Sequence, residues 1–335
     1  MNLINNTPLN AEPFFLMDHT GAETLLIVLK GTWSIEKDGK LTVADEQLPI
    51  QLSPTYNGDP GSSSLRYDTD IVLEKPGTDC VLIGHAWAPS IGVPHVDVIF
   101  AVGPVCQKAR VLGERRWIKR GVRAAYISRG APFEMIPLTW EHAFGGKDTS
   151  CKDPAGHEFC LENPVGRGMV SGRSDINIDG LSLPNIEDPA DLIQKPGQRP
   201  KPRGFGMIAP YWQPRAGYAG TYDENWRENL SPLAPPDLDP RFYSSSAPGL
   251  CTPTHLTGTE QVLVEGASPQ GALRFDLPAA RARASVRCRQ DEELVPLQLD
   301  TVIVEPDEAR VILVWRGIMK GHGKGHEIGM VRVEL

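Results

Sequence analysis

Glu141-His142, inside the string TWEHAFGG (139–146), is the most enzyme-like pair in the chain, because a carboxylate beside an imidazole is the raw material of general acid–base chemistry. Adjacent side chains do not readily meet as base and orienter, and the flanking Trp140 and Phe144 read as packed anchors. A nucleophile would need a Ser or Cys on a shaped turn; the chain has no G-x-S-x-G, and nothing marks a partner for Ser62-Ser63-Ser64. Cys151, His157 and Cys160 are metal-ligand types, but their C-x5-H-x2-C spacing is followed by no fourth ligand at a metal-site distance. His322 and His326 lie among glycines rather than on a helix, without the Glu of HExxH, and read as a solvated loop. Gly166-Arg167-Gly168 and Gly204-Phe205-Gly206 lack the spacing of a phosphate-cradling loop; Arg167 is expected to bond neighbouring carbonyls or carboxylates in a tight turn. Glu187-Asp188 and Asp223-Glu224 stand too close together to flank a scissile bond, and read as turn and cap residues. The reading is a non-enzyme with no catalytic residue, no metal and no cofactor.

What the chain does have is shape. TWEHAFGG, ENPVGRG (162–168), LPNIEDP (183–189) and GTYDENW (220–226) combine backbone-shaping residues with anchoring ones. Gly145, Gly146, Gly166 and Gly168 are placed for positive φ or close approach, and Asn163 and Asn185 for turn bonding. A protein that holds long irregular loops in one shape presents a surface. On that reading Trp140, Phe144, Trp212, Tyr222 and Trp226 are partner anchors, with Glu141 and Arg167 as polar contacts, since aromatics and Arg dominate interface energetics. The competing reading, in which the same aromatics staple their own loops, stays open.

The elements that position these strings read as strands and turns. The run 25–35, LLIVLKGTWSI, is apolar and β-branched and then alternates as a half-buried strand does; Lys37-Asp38-Gly39 turns it into a second run at 40–43. Runs at 80–86, 96–102, 110–112 and 123–127 follow, and strand texture returns at 260–265, 273–277, 284–289, 295–304, 310–315 and 329–335. Residues 141–260 hold 15 of the 30 prolines, yet they are rich in aromatics, unlike a disordered tract. They read as ordered irregular loops with one short helix near 223–229. The expected fold is mainly β, with antiparallel sandwich-like blocks at 1–140 and 261–335 and a long Pro/Gly/aromatic-rich loop region at 141–260, all forming one unit.

At 335 residues the chain can bury its core without staples. A net charge of −8 argues against a nucleic-acid or anionic-membrane partner and favours basic ones. No apolar run approaches membrane-span length, the amino terminus lacks the regions of a signal peptide, and six cysteines are ordinary usage. A reducing cytoplasm is the expected compartment.

Nearly end to end, the chain resembles a domain-of-unknown-function family encoded beside type VI secretion genes, whose members look like effector adaptors or chaperones. The strings that carry the resemblance are LLIVLKGTW (25–33), YNGDPGSSSLRYDTD (56–70), EKPGTDCVLIGHAWAP (74–89), the four central strings, GFGMIAPYWQPR (204–215), PPDLDPRF (235–242) and LTGTEQVLVEG (256–266). Trp140 stands where Tyr is expected from the resemblance, and His142 where Arg is usual. The resemblance implies a bacterial cytoplasmic adaptor that binds a toxic effector, often one linked to a PAAR tip, and helps load it on the VgrG spike. It implies no active site. The alternatives are an enzyme acting on an effector or cell-wall fragment, which would need Glu141 and His142 to converge with another titratable group, and a secreted structural part of the spike.

Overall fold

The run expected at 25–35 forms the longest strand, Glu23–Ile35, of a six-stranded sheet. The computed structural model describes all residues except 91, 122–123, 151, 174, 290 and 321–327. In that sheet the order is Asn10–Met17, Glu23–Ile35, Arg310–Lys320, Gln298–Glu305 and Asp79–Leu82, with Leu41–Val43 also paired to Glu23–Ile35. Neighbours are antiparallel except the last two, which run parallel from Thr301↔Asp79 to Val304↔Leu82. The Leu41–Val43 strand returns through the Lys37-Asp38-Gly39 turn, where Gly39 has φ +82°, and pairs Trp33 with Val43.

Burial corrects one expectation. Glu23–Ile35 is buried on both faces rather than half-buried. Leu25, Ile27 and Leu29 point into the main core, and Leu26 and Val28 into a second cluster with Phe14, Ile50 and Ile71. The loops around residues 48–71 cover the face that alternation alone would leave to water, and a strand covered on both sides reads as a near-continuous apolar run.

Two further sheets complete the main core. One is antiparallel, in the order Ile186–Glu187, Val105–Leu112, His95–Val102, Gln261–Glu265, Leu273–Asp276. The other runs Asn2–Asn5, Ile328–Glu334, Arg283–Cys288, Asp291–Pro296. Val98, Phe100, Val262 and Phe275 from the first, and Val286, Val295 and Val331 from the second, join the inner face of the six-stranded sheet in one apolar cluster. The fold is mainly β and mostly antiparallel. Boundaries at 140 and 260 do not divide sheets, since the largest sheet draws strands from both ends of the chain and the five-stranded one reaches into the middle.

Several runs change length. The run at 80–86 is two strands, Asp79–Leu82 and His85–Trp87, and that at 110–112 is the end of Val105–Leu112. The run at 123–127 keeps only Tyr126–Ile127, with 122 and 123 outside the described residues. The run at 295–304 splits at Leu297 between two strands of different sheets. Among the described residues the one α-helix is Glu224–Asn229; Asp223 caps it by accepting from the Trp226 amide at 2.8 Å. No helix of the described residues is long and apolar enough to cross a membrane.

Candidate functional site

Three of the four central strings meet in one knot. Phe144–Gly145 pairs in parallel with Arg167–Gly168, and the Arg167 amide donates to the Ala143 carbonyl at 3.0 Å. The Asn185 amide donates to the His142 carbonyl at 2.8 Å, and Ala143 bridges Ile186. Asn163 is fully buried at the centre. Its Nδ2 donates to the carbonyls of Trp140 at 2.8 Å and Phe144 at 2.9 Å, and its own carbonyl accepts from the Gly146 amide at 2.8 Å. Asn185 Nδ2 ties the knot to the Leu112 carbonyl at 2.8 Å.

The glycines are there for two reasons. Gly145, Gly146 and Gly168 sit at φ +154°, +84° and +93°. Gly166 lies outside the left-handed region but has no room, since a Cβ there would come within 2.4 Å of Asn163 Nδ2 and 2.8 Å of the Ala143 carbonyl oxygen.

The aromatic anchors divide. Trp140, Phe144 and Trp212 are buried, at 2%, 3% and 0% exposure, which corrects their assignment to a partner surface. Trp140 donates Nε1 to the Met207 carbonyl at 2.9 Å, its ring lies where a Cβ of Gly204 would be, and its edge meets Trp212 at 6.2 Å between centroids. These rings staple the loops because burying them yields more than any single contact at the rim would. The fourth string stands apart: Tyr222 is exposed and Trp226 half-buried, their rings 4.6 Å apart, with Trp226 Nε1 donating to the Leu233 carbonyl at 2.8 Å.

Glu141 and His142 face an open cleft of about 720 Å³, which is also lined by Ser64, His85, Trp87 and Asp307. Their chemistry is spent on fastening. Glu141 accepts from the Ser64 amide at 2.6 Å and the Ser64 hydroxyl at 2.8 Å. Burial works to raise its carboxyl, but these bonds win and hold it below the ordinary glutamate value. His142 Nδ1 lies 2.9 Å from Asn185 Oδ1 and touches the Arg167 guanidinium. Burial, with the Arg167 charge, pushes the imidazole down and keeps it neutral, although the Asn185 bond opposes this. Arg167 bonds as expected of a tight turn: Nε donates to the Glu141 carbonyl at 3.1 Å, and Nη1 pairs with Glu114 at 3.2 Å.

A second imidazole in the cleft escaped the sequence reading. His85 Nδ1 lies 2.8 Å from Asp307 Oδ2, and Trp87 Nε1 donates to Asp307 Oδ1 at 2.8 Å. A Cβ on Gly84 would stand 3.0 Å from Asp307 Oδ2, so the glycine leaves the carboxylate its place. The signals are the string GHAW and the EPDE turn, which no spacing rule joins because His85 and Asp307 are 222 residues apart.

Of the candidate metal ligands, Cys151, His322 and His326 lie outside the described residues. Cys160 Sγ lies 3.6 Å from Glu162 Oε2, and no group of three or more His, Cys, Asp or Glu that could hold a metal occurs among the described residues. Burial pushes the thiols of Cys160 and Cys251 up to about 11, whereas Cys106 is exposed. Iodoacetamide at neutral pH is therefore expected to modify Cys106 quickly and Cys160 and Cys251 only on unfolding, since the thiolate is the reacting species. Peptide mass mapping checks this; labelling of all three at equal rates would refute it.

No curated protein and no solved structure matches the chain. A family described as an uncharacterized protein conserved in bacteria (DUF2169) matches residues 20–316, which take in the six-stranded sheet from Glu23–Ile35 to partway along Arg310–Lys320, the whole knot and both walls of the cleft. On that match, the chain belongs to the bacterial family DUF2169.

Proposed function

We propose that the chain is a non-enzymatic, cytoplasmic adaptor of a bacterial type VI secretion system. It binds a cognate effector, of the kind often linked to a PAAR tip, and helps to load it on the VgrG spike. The secretion context rests on the resemblance of the strings quoted above. The observation that supports a binding rather than a catalytic role is how the polar groups of TWEHAFGG are used. Glu141, His142, Asn163, Arg167 and Asn185 all bond to neighbouring loops, which produces a rigid wall for an open cleft. A preorganised concave wall loses little entropy when a partner docks.

Deleting the gene tests this. Delivery of one effector should fail, and that effector should cease to accumulate, while the sheath and tube still fire, because an undocked effector loses its protection and the machine itself does not need the adaptor. Tagged protein should capture the same effector from its own lysate. Normal secretion of every effector, or loss of tube secretion altogether, contradicts the adaptor role; appearance of the protein itself in the medium would make it a spike component instead.

A further inference from the structure

One end of the cleft has a chemistry of its own. The strand His85–Trp87 forms one side and the turn Pro306–Glu308 the other. Asp307 is held from both sides, by His85 Nδ1 and Trp87 Nε1, each at 2.8 Å. Nδ1 is spent on that carboxylate, and in the tautomer that donates from Nδ1 the lone pair sits on Nε2, which has no protein partner among the described residues. Trp87 has its only polar atom committed, so its half-buried ring serves as an aromatic wall. Glu308 lines the same cleft, is exposed, and has neither an ion pair nor a hydrogen bond among the described residues. Of the carboxylates around the cleft, Glu305 is already paired with Arg310 and Asp307 with His85, which leaves Glu141 and Glu308 with Arg66 as the one guanidinium among the lining residues.

An acceptor nitrogen, an open carboxylate and an aromatic wall together complement a cation that donates hydrogen bonds. We propose that this end of the cleft recognises a lysine or arginine side chain of a partner polypeptide. The polypeptide partner rests on the adaptor reading; the preference for a basic side chain rests on the cleft. An acidic side chain would meet an excess of like charge, and an apolar one would leave Glu308 and His85 Nε2 desolvated without a partner.

The test uses the full chain and two blocked, fluorescently labelled pentapeptides, Ala-Leu-Arg-Leu-Ala and the same peptide with Gln in place of Arg. By fluorescence anisotropy at low salt, the Arg peptide should bind at least about tenfold more tightly than the Gln peptide, and added salt should narrow the gap. Glu308→Gln should weaken the Arg peptide by about fivefold or more and leave the Gln peptide unchanged. Glu308 lies exposed on a turn, so the variant should keep the wild-type circular dichroism. Equal affinity for the two peptides, no binding of either, or indifference to Glu308→Gln each overturns the proposal. Effector capture from lysate that survives Glu308→Lys overturns the basic-residue site and leaves the adaptor reading standing. Selective peptide binding by a protein whose deletion leaves all effectors delivered does the reverse.

Discussion

Arg316→Met is expected to lower the unfolding free energy by about 3–5 kcal/mol, the cost of stranding buried carboxylates without their cation. Arg316 lies on the sheet face that carries Leu26 and Val28, beneath the loop that contains Asp70. Its Nε donates to the Asp70 carbonyl at 2.8 Å, Nη2 approaches Asp70 Oδ1 at 3.4 Å, and Nη1 bonds Asp300. Lys30, two residues beyond Val28 on the neighbouring strand, pairs with Asp70 Oδ2 at 2.8 Å. Each of these four side chains is at most 8% exposed. Urea unfolding followed by circular dichroism at neutral pH should show a lower midpoint with an unchanged slope. The Arg316→Met, Asp300→Asn double variant should lose less than the sum of the single losses, because the two groups act as one network. A loss below about 1 kcal/mol for Arg316→Met would mean that water reaches the cluster and that it behaves as a surface pair.

Gly146→Ala is expected to cost about 3 kcal/mol or more, from strain at positive φ and a clash with backbone that cannot retreat. At φ +84°, its Cβ would lie 2.3 Å from the Gly166 carbonyl oxygen. That oxygen belongs to the loop that also bonds the knot through Asn163 and Arg167. Gly180 is the control: its φ is +78° but a Cβ there meets nothing within 4 Å. Gly180→Ala should therefore cost only the conformational part, about 1 kcal/mol. Thermal denaturation of the two variants separates the contributions. Equal losses would mean that φ alone accounts for the glycine in TWEHAFGG and that the knot yields.

Local chemistry was legible in the chain wherever neighbours in sequence are also neighbours in space. Period-two apolar runs and their turn residues located most strands, the Lys37-Asp38-Gly39 hairpin and the EPDE turn between Gln298–Glu305 and Arg310–Lys320. Asp223, three residues before Trp226, located the helix, and the glycines of TWEHAFGG and ENPVGRG marked backbone that other residues cannot adopt or fit. Those features depend on steric limits and hydrogen bonds spanning a few residues. Which strings meet does not. Ser64 reaches Glu141 across 77 residues, His85 reaches Asp307 across 222, and Asp70 reaches Arg316 across 246. For the same reason the sequence could not say that Trp140 and Trp212 turn inward while Tyr222 stays out, or that Lys30 and Arg316 are buried: a side chain's surroundings are set by the segment that covers it, and pairing between distant segments leaves no periodicity in either one.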